Sequence, residues 1–230
     1  MGTKKKIVVL TGAGMSAESG LKTFRDSGGL WEGHDVTKVA SPIGWQNDPE
    51  MVLDFYNQRR RQLFETTPNA GHIGLARLEE HFDVQIVTQN VDDLHERAGS
   101  TSVLHLHGEL LKVRSTIDPN IVLEWKNDLV LGDLGPDNRQ LRPHIVWFGE
   151  SVPMLEPAIR ITQQADILVI IGTSMQVYPA SQLIHYAPGD CPIHFIDPKP
   201  MINPDGYDRL TIYKATASEG VGELIRKLLG

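Results

Sequence analysis

Five consecutive apolar residues, Ile167-Leu-Val-Ile-Ile171, leave no polar alternate to face water. A strand built from them must be covered on both faces, as in a parallel sheet between two layers of helices. Further strands are read at 6–11, 84–88, 103–105, 145–148, 193–197 and 210–213, with the run above extending to 172. Longer amphipathic stretches fall between them, at 49–64, 69–82, 92–98, 155–165, 179–186 and 220–229. This alternation predicts an α/β fold with a doubly wound parallel sheet, in one domain spanning 1–230. Two stretches break the pattern. Residues 19–49 read as a long loop with a short helix, and residues 109–142 as a small inserted module; loops of this length in a compact domain are usually functional.

Composition narrows the function classes. With 22 basic and 29 acidic residues the net charge is −7, which opposes a nucleic-acid footprint or membrane binding through lysine and arginine. No apolar run approaches the roughly 20 residues that span a bilayer. The lysines at the N-terminus lead into a strand and not a signal peptide, so a cytoplasmic protein is expected. A single cysteine, Cys191, leaves no disulfide framework and no cysteine-clustered zinc site.

The first strand runs directly into Gly12-Ala13-Gly14-Met15-Ser16-Ala17, a G-x-G-x-x-A variant at a strand-to-helix turn. Its glycines admit backbone N–H groups to a pyrophosphate, and a helix N-terminus behind them adds favourable partial charge. A dinucleotide-binding, Rossmann-like sheet is therefore expected. A hydride-transferring dehydrogenase would also carry an acidic residue at the end of a second strand about 20 residues on. Here that region reads Gly28-Gly29-Leu30-Trp31-Glu32, with no strand before it. The dinucleotide reading survives and the dehydrogenase reading weakens.

The continuation through Glu18-Ser-Gly20, with Phe24-Arg25-Asp26 and Leu30-Trp31, resembles the sirtuins, the NAD-dependent protein-lysine deacylases. Further matches follow in the family's order: Thr88-Gln-Asn-Val-Asp-Asp-Leu-His95 with Ala98-Gly99, His107-Gly108, Leu141-Arg-Pro143, Trp147-Phe-Gly-Glu150, Gly172-Thr-Ser174 and Val177-Tyr-Pro179. The resemblance covers nearly the whole chain. It implies NAD consumed as co-substrate, acylated lysines of proteins as substrates, and nicotinamide, O-acyl-ADP-ribose and free lysine as products. It also implies His107 as general base, a role suited to a side chain with a pKa near neutrality. Alternation puts His105 and His107 on one face, so spacing alone does not separate them. The His-Gly match selects His107, and His105 reads as a packed or surface strand residue.

By the same resemblance Asn90 orients the ribose and a water, and Asp92 holds the nicotinamide carboxamide. Gly12, Ala13, Gly14, Glu18, Gln89, Gly172, Thr173 and Ser174 line the cofactor site, with Asp197 at the adenosine ribose and Ala217 on the adenine side. Phe24 and Arg25 belong to the cofactor-binding loop. Phe148, Gly149 and Glu150 would clamp the substrate peptide against Val177 and Tyr178 as an added strand, mostly through backbone hydrogen bonds.

The acyl group is addressed by the helix at 49–64. Tyr56 and Arg59 are three apart and share a face. A hydroxyl and a guanidinium fork there would bind a distal carboxylate through charge-assisted hydrogen bonds. This pair is similar to that of class III sirtuins, which remove succinyl and malonyl groups, and the small Ala17 leaves room for a longer acyl chain. Arg59–Arg61 as a solvated basic face is the alternative.

Two departures stand out. Where most relatives carry two cysteine pairs binding structural zinc, the module has none, so no zinc is expected. Its core is then expected from Ile117, Ile121, Leu123, Trp125, Leu129 and Leu131. Leu21-Lys22 replaces the family's usual isoleucine-proline. Mono-ADP-ribosyl transfer and a catalytically silent NAD- or ADP-ribose-binding module are the competing readings; a mere binder has no need of His107 beside Asn90 and Asp92. A monomer is expected, as no heptad or long exposed apolar stripe is evident.

Overall fold

The structure, a computed structural model, describes residues 4–21, the backbone of 30–31, and 34–230. Among the described residues, eleven strands occur in the order β1 (Lys6–Thr11), β2 (Leu30–Trp31), β3 (His34–Asp35), β4 (Asp83–Thr88), β5 (Val103–His105), β6 (Gly108–Ser115), β7 (Val122–Glu124), β8 (Leu141–Ile145), β9 (Ile167–Ile171), β10 (Ile193–Ile196) and β11 (Leu210–Tyr213). The α-helices are α1 (Val36–Val39), α2 (Pro42–Asn47), α3 (Pro49–Glu65), α4 (Ala70–Leu78), α5 (Leu94–Arg97), α6 (Leu155–Thr162) and α7 (Ala217–Leu229).

Six strands form the doubly wound sheet in the order β11-β10-β9-β1-β4-β5, and every pairing is parallel. Alternate residues supply two separate cores. Ile7, Val9, Ile167, Val169 and Ile171 pack with Leu75 and Leu78 of α4 and Val221 and Leu224 of α7. Val8, Leu10, Leu168 and Ile170 face the other way, onto Ala158 of α6 and onto Leu183 and Ile184 of the 3-10 helix Ala180–Tyr186. The apolar run is buried on both faces as its composition requires. Asn69 caps α4: its side-chain oxygen accepts the N–H of Gly71 at 2.9 Å, and the His72 ring accepts the N–H of Asn69 in return.

The strand expected at 145–148 is not part of this sheet. β8 ends at Ile145 and pairs antiparallel with β6, which pairs with β7, to form a three-stranded module. Val146 N–H does reach the His107 carbonyl, at 2.9 Å, but Trp147 and Phe148 turn away. The module's core also differs from expectation. Ile117 is 70% exposed and Leu131 is 45% exposed. Both lie in loops between the module's strands. Leu129 is buried as expected, joined by Val113 and Leu141 and packed against Leu53 of α3, with the expected Leu123 and Trp125 at the margin beside Trp45. Two short helices, α1 and α2, occupy the second half of the 19–49 stretch.

Candidate active site

β1 lies between β4 and β9, so the chain leaves it in both directions across the sheet. At such a switch point the loops beyond the strand ends diverge and open a crevice for ligands. The loops after β1, β4 and β9 meet there. Gly12 N–H donates to the Ile171 carbonyl at 3.0 Å, and Gly14 N–H to the Gly172 carbonyl at 2.8 Å. A Cβ on Gly14 would stand 2.7 Å from the Gly172 Cα, so the close approach of the two loops requires glycine. Gly172 also has a φ of +62°, a region that disfavours other residues. The Gln89 side chain completes the floor by donating to the Thr173 hydroxyl at 3.2 Å.

The helix expected behind the glycines is replaced by two single 3-10 turns, Ala13–Met15 and Ala17–Ser19, ending at Gly20 with φ +97°. The junction between them is Ser16, a residue that motif matching passes over. Its hydroxyl donates to Asp92 Oδ2 at 3.0 Å and accepts from Asn90 Nδ2 at 3.1 Å. Asn90 Nδ2 also reaches the Gly12 carbonyl at 3.1 Å, so one buried amide ties the β4 loop to the phosphate-type loop. Asn69 adds a second tie, donating to the Met15 carbonyl at 2.8 Å and to the Ser19 hydroxyl at 3.1 Å.

The titrating groups are set apart by their surroundings. Burial pushes the Asp92 carboxyl up to about 6, against the hydrogen bonds of Ser16 and the Leu94 N–H. His107 follows β5 and is followed by Gly108, whose φ of +83° and contact with the His144 carbonyl leave no room for a side chain. His107 Nδ1 lies 3.1 Å from the Gln89 carbonyl, which only accepts, so Nδ1 carries the proton and Nε2 keeps a lone pair. Burial holds this imidazole below its ordinary pKa, in the neutral form that a base needs.

The remaining cofactor-side positions divide. Glu18 and Ala217 come together: the Glu18 carboxylate accepts the Ser218 N–H at 2.8 Å, at the first turn of α7, where Ala217 is buried. That bond commits Glu18 to α7, a partner that sequence alone did not indicate. Asp197 directly follows β10, 1% exposed, and its Oδ1 accepts the Lys199 N–H at 2.8 Å. Ser174 is half-buried beside Thr173. Phe24 and Arg25 lie outside the described residues.

On the acyl side, Tyr56 is fully buried and its hydroxyl accepts the Trp147 indole N–H at 3.0 Å. The Arg59 guanidinium stacks over Phe55, 4.7 Å from the ring centroid. The expected run of arginines is not a uniform basic face. Arg60 is 1% exposed and donates to the Leu110 carbonyl and to Asn57, while Arg61 pairs with Asp128 at 2.5 Å. Ala17 is exposed. Phe148 and Tyr178 are 52% and 78% exposed, and Val177 is half-buried. The Glu150 side chain is engaged within the protein. Its carboxylate accepts from Arg142 at 2.6 Å, from Arg114 at 3.2 Å and from the Trp147 N–H at 2.8 Å, so two arginines claim it. Arg142 in turn lies 3.3 Å above the Trp147 ring, which links this cluster to Tyr56. Among the described residues, no group of three or more His, Cys, Asp or Glu side chains is arranged to hold a metal ion.

Residues 12–179 match the family model described as "Sir2 family". An "NAD-dependent protein deacylase" of Helicobacter pylori is 64% identical over 195 residues, covering 85% of this chain and 83% of that protein. A protein of the same description from Bacteroides thetaiotaomicron is 53% identical over 231 residues, 98% of each. A solved "Sir2 homolog-NAD complex" superposes with a TM-score of 0.86 at 37% identity, over 98% of this chain and 90% of that one.

Proposed function

The chain belongs to the Sir2 family and is an NAD-dependent protein deacylase, and on that premise we propose that it removes acidic acyl groups, succinyl and malonyl, from lysine side chains, with acetyl as a further substrate. The observation that carries the acyl preference is the pairing of Tyr56 and Arg59 one turn apart on α3. Trp147 orients the phenol and the Phe55 ring carries the guanidinium, so both groups are preorganised to meet a distal carboxylate.

The crevice at β1 suits a dinucleotide: side-chain-free glycine turns let the β1 and β9 loops approach closely, and Gln89, Thr173 and Asp197 offer polar atoms beyond the strand ends. NAD, when bound, supplies an activated ribose with nicotinamide as leaving group. Asn90 positions that ribose and a water, and Asp92 accepts the carboxamide N–H. His107 Nε2 takes a proton from a ribose hydroxyl, which is the base step of acyl transfer off the lysine. Phe148, Gly149, Val177 and Tyr178 hold the peptide through its backbone, which leaves target choice loosely constrained. The protein acts as a monomer in this reading.

The test is incubation with NAD and a succinyl-lysine peptide, with mass spectrometry for O-succinyl-ADP-ribose. Arg59→Met should lower desuccinylation roughly 10- to 100-fold, the equivalent of a charge-assisted hydrogen bond, and spare deacetylation. Equal loss of both activities would reject the carboxylate assignment.

A further inference from the structure

The two histidines of Leu104-His-Leu-His107 reach consecutive carbonyls of the β4 loop. His107 Nδ1 donates to Gln89, and His105 Nδ1 donates to the Asn90 carbonyl at 3.0 Å. Among the described residues, only His105 has a second partner: its Nε2 lies 2.8 Å from Glu96 Oε1, on α5. A carbonyl and a carboxylate both only accept, so this pair of partners favours the doubly protonated ring, the imidazolium. Its side chain is 7% exposed, whereas that of Glu96 is 41% exposed.

We propose that His105, locked by Glu96, is a positioning residue of the deacylase site, fixing the Asn90 backbone and holding a positive charge within reach of Asp92. Asn90 hangs from this carbonyl on one side and from Gly12 and Ser16 on the other, so the clamp determines where its amide points. The charge acts on Asp92 directly. Burial favours the neutral form of that carboxyl, and the His105 charge opposes it together with Ser16 and the Leu94 N–H, while Asp93 works the other way. Around His105 itself, burial disfavours the charge, and Glu96, the Asn90 carbonyl and Glu109 of β6 outweigh it, so the pKa is raised. His95, the other titrating group of α5 on this side, stays neutral because it is buried and faces His72 and His105.

This inference rests on the deacylase reading for its consequence, and two readouts keep the two apart. NAD affinity by calorimetry and NAD-dependent deacylation of an acetyl-lysine peptide are followed across about pH 5 to 9 for wild type, Glu96→Gln, His105→Gln and His105→Lys. Glu96→Gln alters a half-exposed carboxylate and leaves the Asn90 contact in place. It should weaken NAD binding and kcat/KM for NAD by roughly 10-fold near pH 6, and move the acidic limb up by about one pH unit, with KM for the peptide unchanged. His105→Gln should do the same and lower kcat as well, because the clamp is lost along with the charge. His105→Lys, which keeps a cation facing Glu96, should return the acidic limb toward wild type. An unchanged acidic limb and NAD affinity in Glu96→Gln and His105→Gln would overturn the proposal, as would losses that follow melting temperature and fall equally on peptide KM. A wild type that binds NAD but turns over no acyl peptide would reject the deacylase reading alone, and NAD affinity in the variants would still decide the role of His105.

Discussion

In the parallel sheet, Val8, Val9, Leu168 and Ile170 are 0% exposed, and the strands run between two apolar layers; in the inserted module, β7 buries none of its residues. The sheet is held by area removed from water, each such side chain contributing about 1.5–3 kcal/mol. The module has a small apolar core and relies on polar pins. Asn57 of α3 accepts the Leu129 N–H at 2.8 Å and donates to the Leu129 carbonyl at 2.9 Å, and Arg60 holds both Asn57 and the Leu110 carbonyl. Gln140 gathers the tip, accepting the Gly132 N–H at 2.8 Å and donating to the Val130 carbonyl at 3.1 Å, and Ser115 donates to Asp137 at 2.5 Å. A region without enough apolar surface needs its backbone groups satisfied by side chains, since each one left buried and unpaired costs about 1–3 kcal/mol. The module is thus the part of the fold most dependent on individual hydrogen bonds.

The largest effect should come from the sheet. Ile170→Ala opens a cavity between β9 and the α6 side and should cost about 4 kcal/mol in urea unfolding, with one cooperative transition. If the module is pinned as described, Asn57→Ala should cost about 3 kcal/mol, and hydrogen exchange should rise first at Leu129 and along β6 and β8 while the amides of β1 and β9 stay protected. Uniform exchange across both regions would show the distinction between them to be wrong.

Acid should separate them further. His72 and His95 are both fully buried beneath the β1 loop, rings 4.8 Å apart, and burial holds His72 at about 4 and His95 well below its ordinary value. Their unfolded pKa is near 6.5, so the unfolded chain binds more protons between those values. The stability they contribute is whole above about pH 6.5 and is lost as pH falls toward 4, about 2–3 kcal/mol from His72 alone. Denaturation at pH 7 and near pH 4.5 should show this loss, and His72→Gln should flatten it. The smallest effect is expected from chelation: excess EDTA should leave the melting temperature and the module's exchange unchanged, and a drop would point to a metal in place of the polar pins.

Much of this architecture was readable before any coordinates. The apolar run at β9 demands cover on both faces whatever surrounds it, and Gly12 and Gly14 announce a close backbone approach. Asn90, Asp92 and His107 were singled out by the family resemblance, and the fold puts them beyond the ends of β4 and β5, with His107 bonded to the Gln89 carbonyl of the β4 loop. The misplaced strand at 145–148 is instructive. Trp147 and Phe148 carry the apolar signature of a strand, yet Trp147 is buried against Tyr56, Arg142 and Trp45, in the layer formed with α3. Local pattern does not say which layer an apolar residue will join.

Local chemistry along the chain determined the sheet, the glycine turns and the residue types at the crevice, because period, steric freedom and ionisable groups are properties of neighbouring residues. Only the tertiary structure decided that Arg60 is buried while Arg61 is exposed, that Glu150 serves two arginines, and that His105 bridges the Asn90 carbonyl and Glu96. Those outcomes depend on burial and on partners distant in the chain. A charge's protonation state and a hydrogen bond's target are set by the groups that folding brings within a few ångströms.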